Sequence, residues 1–319
     1  MISWKPFRYR LEYTGLLISS AFVQCLPWRW LRPLGRALGS FFFLIDQHRR
    51  KVTLANLKAA FGESISDRTL WKIGSASYGT FATTGLELLW SPRLTPDLLG
   101  KIATLEGLDP MPAHTAPGVP AIYFCLHAGN FEWMSQVHAT LLTPLPVIAQ
   151  KLKNPLLGPL FDRWRSTMGQ RIIPQERAML KTLRHLKEGG KIAMLIDLNL
   201  KPSEGPVVIK VFDRLLVPVT PLPSMLALRT GAALVPVECF ARPTGGYHIR
   251  YLPALKIEEG SSPTSIAQAC WDALEPGLRK HPEAWLWSYK HWRYRPLRGS
   301  TEHYPFYANH LESFDQLVS

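Results

Sequence analysis

The stretch Ala121-Ile-Tyr-Phe-Cys-Leu-His-Ala-Gly-Asn-Phe-Glu-Trp-Met134 constrains this chain more than any other. Residues 121–126 are an unbroken apolar run without helical spacing, the pattern of a central strand buried on both faces. Gly129 and Asn130 break the run, and Asn130 is suited to cap a helix over about Phe131–Leu142. A His and a Glu are held in this turn. On one continuous helix His127 and Glu132 would point about 140° apart. They meet only if His127 ends the strand and Glu132 opens the helix. The carboxylate then accepts from one imidazole nitrogen and leaves the other free as a base. The plainer alternative is a satisfied buried histidine beside a glutamate that complements the helix dipole. Cys125 shares a strand face with His127, so a Cys–His nucleophile is conceivable, although a small buried core residue is the better reading.

Strand and helix alternate on either side of this turn. Pro146–Ala149, Ile172-Ile173, Ile192–Ile196, Ala233–Val237 and Tyr247–Tyr251 have strand character. Between them, helices are expected over Asn154–Met168, Ala178–Lys187, from the cap Thr220-Pro221 to Arg229, and over about Thr264–Lys280. The fold class that follows is α/β, a mostly parallel central sheet flanked by helices.

The N-terminal third differs. Lys5, Arg8 and Arg10 precede the apolar run Thr14–Leu26, and Trp28-Arg29-Trp30 and Phe41–Ile45 follow. The run is shorter than the roughly 20 residues of a spanning helix, and no secretory-type cleavage site is evident. Residues 1–47 are therefore expected to form an anchor lying in, or marginally crossing, a cytoplasmic leaflet. Packing on the chain's own domain is the alternative. The helix expected from Ser66 to about Trp90 is rich in Gly, Ser, Ala and Thr. Such a stripe admits a slim ligand or, more simply, a closely packed second helix. Residues 48–297 are expected as the catalytic domain and 298–319 as a polar tail.

Thirty-seven Lys+Arg against 24 Asp+Glu leave a formal charge of +13 and imply an anionic partner. Eleven Trp, 14 Phe and 10 Tyr beside that charge point to a membrane surface. No nucleic-acid motif is present. Four cysteines without CxxC spacing give neither a disulfide framework nor a zinc site. The absence of GxSxG, HExxH, GxGxxG and GxxxxGK[ST] argues against serine hydrolase, metalloprotease, dinucleotide and P-loop chemistry.

His127-Ala-Gly-Asn-Phe-Glu132 resembles the His-x4-Asp/Glu motif of glycerolipid-type acyltransferases. Its His-x-Gly-Asn-x-Glu form is close to that of the bacterial lipid A lauroyl/myristoyl transferases and their phosphatidylinositol-mannoside relatives. Further blocks agree in order: His48–Leu57 with Ala60-Phe-Gly62, Asn154-Pro155 with Arg165 and Gly169, Leu195-Ile-Asp197, Thr220-Pro221 with Thr230-Gly-Ala232, and His281-Pro-Glu-Ala-Trp-Leu-Trp287. Val211-Phe212-Asp213 stands where Phe-Phe-Gly is common, and Tyr289-Lys290-His291 where many members carry His-Arg-Arg.

The resemblance implies transfer of an acyl chain from an acyl carrier protein or CoA thioester to a hydroxyl of an anionic lipid acceptor. A lipid A precursor leads as acceptor, at the cytoplasmic side of a bacterial inner membrane, without metal or cofactor. His127 would be the base and Glu132 its orienting partner, with backbone N–H groups at 129–131 facing the oxyanion. Gly129, Asn130, Arg165, Lys153 (or Lys151), Asp197 and Thr220 would contact substrate. For the cations a solvated surface role is the alternative, and for Asp197 a turn cap. The rival functions are a membrane-attached thioesterase or hydrolase using the same pair on water, and a non-catalytic lipid binder.

Overall fold

The computed structural model describes residues 4–108, 112–149, 151–174, 178–297 and 302–318. The chain opens with helices α1 (Lys5–Gln24), α2 (Trp28–Ile45), α3 (Gln47–Phe61), α4 (Asp67–Trp90) and α5 (Pro96–Ile102). Strands and helices then alternate: β1 (Ala103–Glu106), β2 (Ala121–Cys125), α6 (Phe131–Leu141), β3 (Pro146–Ala149), α7 (Gly158–Arg165), β4 (Arg171–Pro174), α8 (Ala178–Lys187) and β5 (Lys191–Leu195). A hairpin of β6 (Val207–Val211) and β7 (Leu215–Val219) precedes α9 (Leu222–Thr230), β8 (Ala233–Ala241), β9 (Tyr247–Tyr251) and α10 (Pro263–Lys280). The chain closes with β10 (Tyr294–Arg295), β11 (Asn309–His310) and α11 (Glu312–Val318).

Seven strands form the main sheet in the order β1-β9-β8-β2-β5-β3-β4. Every pairing is parallel except β8 with β9. All five residues of β2, near the sheet's middle, are buried, as its apolar run demands. Ile122 and Phe124 face a core with Leu57, Ile192, Leu226 and Trp271. Ala121 and Tyr123 face the opposite core with Trp133, Val235 and Ile249.

The small residues of α4 serve close helix packing. A Cβ added at Gly35 would overlap Thr83, and one at Gly39 the backbone of Gly79, so α2 lies directly on α4. The two helices run antiparallel along this contact. Among the described residues no helix is long and apolar enough to cross a membrane. The outer faces of α1 and α2 nevertheless expose Trp4, Phe7, Ile18, Phe22, Trp30 and Phe41.

Three features depart from the sequence pattern. β1 pairs with β9 although its segment carries little strand signal. In the β6–β7 hairpin, Phe212 and Asp213 both take positive φ (49° and 66°). The Phe212 amide donates to Glu275 Oε2 at 2.8 Å, which pins this turn to α10. Within the segment expected as a tail, Asn309–His310 pairs with Tyr294–Arg295 and Phe314 is fully buried.

Candidate active site

β2 and β5 run parallel with Cys125 opposite Leu195. The next residues leave the sheet together, the Ile196 amide donating to the Cys125 carbonyl at 3.1 Å. Two positions past the paired ends stand His127 and Asp197. Ligand chemistry in open α/β sheets sits at such carboxyl ends. Asp197 Oδ1 lies 2.7 Å from His127 Nδ1, and its Oδ2 accepts the backbone N–H of His127 at 2.9 Å. Trp285 Nε1 also donates to Oδ2, at 2.7 Å, from the segment after α10.

This corrects the expected His127–Glu132 hydrogen bond. Glu132 does open α6, but both its oxygens are held by Arg165, with Nε at 3.2 and 2.9 Å and Nη2 at 2.6 Å. A forked guanidinium satisfies a largely buried carboxylate better than a single imidazole edge. Glu132 therefore reaches His127 as a nearby charge rather than as a bonded partner.

The electrostatics follow from these contacts. Burial alone would lift the Asp197 carboxyl, but the charge and hydrogen bond of His127, with His291 and Trp285, hold it down at about 2. Burial would lower the His127 imidazole, yet Asp197 and then Glu132 outweigh it and Arg165, and the net shift is upward. His291, whose ring stacks on Trp285 at 3.9 Å between centroids, is lowered to about 4 by burial. Burial, then Asp197 and Cys239, push the Cys125 thiol well up, so Cys125 is a core residue and not a thiolate.

Gly129 and Asn130 shape the turn. Gly129 has φ +59°, and a Cβ there would overlap the Cys239 carbonyl oxygen, so only glycine fits. Its N–H donates to Ala284 O at 2.9 Å, and its carbonyl accepts from Thr84 Oγ1 at 3.1 Å. The Gly129 amide is thus committed, which removes it from the expected oxyanion donors. Asn130 Oδ1 caps α6 through the Trp133 N–H at 2.8 Å, as expected, while Nδ2 donates to Glu87 Oε2 at 2.5 Å. Glu87 on α4 also accepts from the Tyr247 hydroxyl. Full burial raises its carboxyl to about 7, against the pull of Tyr247, Asn130 and Arg32.

The remaining candidates lie apart. Lys151 and Lys153 are exposed on the segment between β3 and α7. Thr220 Oγ1 accepts the Leu222 N–H at 3.2 Å and so starts α9 rather than meeting His127. Among the described residues no set of three or more His, Cys, Asp or Glu is placed to hold a metal ion. Sequence reasoning missed Trp285 and Glu87 as supports of the loop. It also missed Asp197 as the partner of His127, although their equal offsets from paired strand ends carry that signal.

The arrangement is a histidine with one nitrogen held by an ionised carboxylate, suited to deprotonating a hydroxyl. Residues 5–294 match the family model described as bacterial lipid A biosynthesis acyltransferase. The chain is similar to the phosphatidylinositol mannoside acyltransferase of Mycobacterium tuberculosis, 28% identical over 188 residues. That match covers 57% of each chain. The enzyme of the same name from Mycolicibacterium smegmatis is 26% identical over 218 residues, 66% of this chain and 69% of that one.

Proposed function

Because the chain belongs to the bacterial lipid A biosynthesis acyltransferase family, we propose that it transfers a fatty acyl group from an acyl carrier protein or CoA thioester to a lipid hydroxyl. A lipid A precursor is the leading acceptor. A glycosylated phosphatidylinositol is the second, favoured by the names of the relatives. The observation that carries the reading is the 2.7 Å contact between His127 and Asp197 at the sheet's carboxyl edge.

An ionised carboxylate is only an acceptor, so Nδ1 carries the proton and Nε2 is left as the base. Nε2 takes the hydroxyl proton of the acceptor as its oxygen attacks the thioester carbonyl. The carbon–sulfur bond then breaks, and the same proton passes from His127 to the departing thiolate. The products are one ester and one thiol, with no covalent enzyme intermediate. Asp197 stabilises the transient imidazolium and holds the tautomer. The Arg165–Glu132 pair fixes the start of α6 beside His127. Exposed Lys153 is the candidate contact for a phosphate on the donor's carrier.

The apolar outer faces of α1 and α2, with Arg8, Arg10 and Arg29 among them, would lie on the cytoplasmic leaflet of the inner membrane. Co-sedimentation with phosphatidylglycerol-containing vesicles tests this; retention in the supernatant counts against it.

The activity test uses purified membranes and labelled acyl carrier protein or acyl-CoA. The acceptors are a tetra-acylated lipid A precursor, lysophospholipids and glycosylated phosphatidylinositol, with the His127→Ala protein alongside. Label entering one acceptor, and lost in the variant, supports the reading. Label released only as free acid makes the protein a hydrolase, and turnover that survives the variant removes His127 from the chemistry.

A further inference from the structure

Behind the catalytic loop runs a cleft of about 470 Å³ between α2, α4 and residues 281–284. Arg32 and Arg36 reach it from α2 and Lys72 from α4, while Thr80, Thr84 and Gly129 form part of its floor. The antiparallel packing of α2 on α4 spreads these cations along the cleft. Lys72 stands at one end, Arg36 lies beside Gly79, and Arg32 stands toward Asn130 and Tyr247. From Lys72 to Thr84 the cleft follows α4 for about 18 Å.

The cations have no counter-charge in contact. Among the described residues none of Arg32, Arg36 and Lys72 lies within 4 Å of a carboxylate. Glu283, which also lines the cleft, faces His281 at 3.8 Å. Glu87, beneath its inner end, is taken by Asn130 and Tyr247. Burial, and then Arg36 one helical turn away, disfavour the charge of Arg32. Two guanidinia and an ammonium gathered around one concavity, none of them paired with an acid, form an anion receptor, and guanidinium forks match phosphate oxygens best.

We propose that this cleft holds a phosphate-bearing headgroup of the acceptor lipid while its hydroxyl is presented to His127. The inference rests on the acyl-transfer reading above. Two observations favour the acceptor over the donor. The cleft ends at Gly129, two residues and no more than about 7.6 Å of chain from His127. Its side wall is α2, which further round its surface exposes Trp30 and Phe41, so a lipid lying on that surface enters headgroup first.

The test compares wild type with Arg36→Glu/Lys72→Glu and with the charge-conserving Arg36→Lys/Lys72→Arg. Both positions are exposed, so neither change removes buried packing. The reversed pair should raise KM for a phosphorylated acceptor about tenfold or more. It should leave KM for the dephosphorylated acceptor and for the acyl thioester unmoved, and the conservative pair should stay near wild type. A rise confined to the thioester KM assigns the cleft to the donor's phosphate and overturns the proposal, as does no change in any KM. A second readout is independent of turnover. Millimolar pyrophosphate should slow backbone hydrogen exchange over residues 32–40 and 72–84 in wild type and not in the reversed variant. Protection without acyl transfer would keep the anion site and fail the enzyme reading, whereas transfer without protection would fail the site alone.

Discussion

Asp197 grips His127 twice, through the side chain at Nδ1 and through the backbone N–H, at 2.7 and 2.9 Å. One carboxylate thereby sets both the tautomer of the imidazole and the position of the residue bearing it. Replacing Asp197 by Ala should lower kcat by about 10²–10⁴-fold with a much smaller change in KM. Steady-state kinetics in both substrates reads this split.

The pH profile carries a second signature of the same contact. Asp197 raises the His127 imidazole above its usual 6.5, so the rising limb of kcat/KM in wild type should have its midpoint above that value. In Asp197→Ala burial acts with less opposition, and the midpoint should move down. For stability the signs are opposite for the two partners. The His127 contribution is full below pH 6.5 and fades as pH rises through the raised folded value. That of Asp197 is present above 3.8 and is lost as pH falls through about 2. Thermal melts of wild type and variant across this range should differ most between about pH 4 and 6.5.

Arg165→Met should cost about 3 kcal/mol of stability, because it strands the Glu132 carboxylate, whose side chain is only 10% exposed. The double replacement Glu132→Gln/Arg165→Met should recover part of that loss. Denaturant unfolding of wild type, Arg165→Met, Glu132→Gln and the double variant gives the coupling directly.

Gly129→Ala should abolish turnover and cost at least about 2 kcal/mol, since φ +59° and the Cys239 carbonyl both exclude a side chain. Gly85 on α4 has nothing within 4 Å of an added Cβ, and Gly85→Ala serves as the tolerated control. Thermal melts and a transfer assay separate the two.

Glu87 should make the fold sensitive to alkali. Its carboxyl is raised to about 7 by burial, so it contributes fully below 4.5, and that contribution falls away as pH rises through 7. The loss amounts to about 3 kcal/mol at most. Glu87→Gln should flatten the difference in Tm between pH 5 and pH 8.

The loop 127–132 is legible in sequence because its causes are local. Gly129 must take positive φ, Asn130 must cap, and neither needs a distant partner to be recognised. Strands β2, β3, β4, β5, β8 and β9 are legible for the same reason, as Ala121–Cys125 and Lys191–Leu195 declare themselves by composition, whereas the β6–β7 hairpin is not. What escaped depends on register. His127 and Asp197 lie 70 positions apart, and only the pairing of Cys125 with Leu195 shows that they emerge side by side. Glu132 misled because proximity in sequence suggested a bond that Arg165, from another helix, wins. Phe314 closes part of the core from a segment whose composition is polar.

Helix α4 touches nearly everything that matters here. It carries Lys72 in its first half and packs Gly79 and Thr83 against α2 beyond its midpoint, and its last turns hold Gly129 through Thr84 and Asn130 through Glu87. At 1.5 Å per residue it is a rod about 36 Å long. His127 is consequently held at a set height from the outer face of α2 by a fixed length of backbone. One residue inserted midway along that rod would turn its far end by about 100° and lift it 1.5 Å, leaving both ends folded and the two no longer aligned.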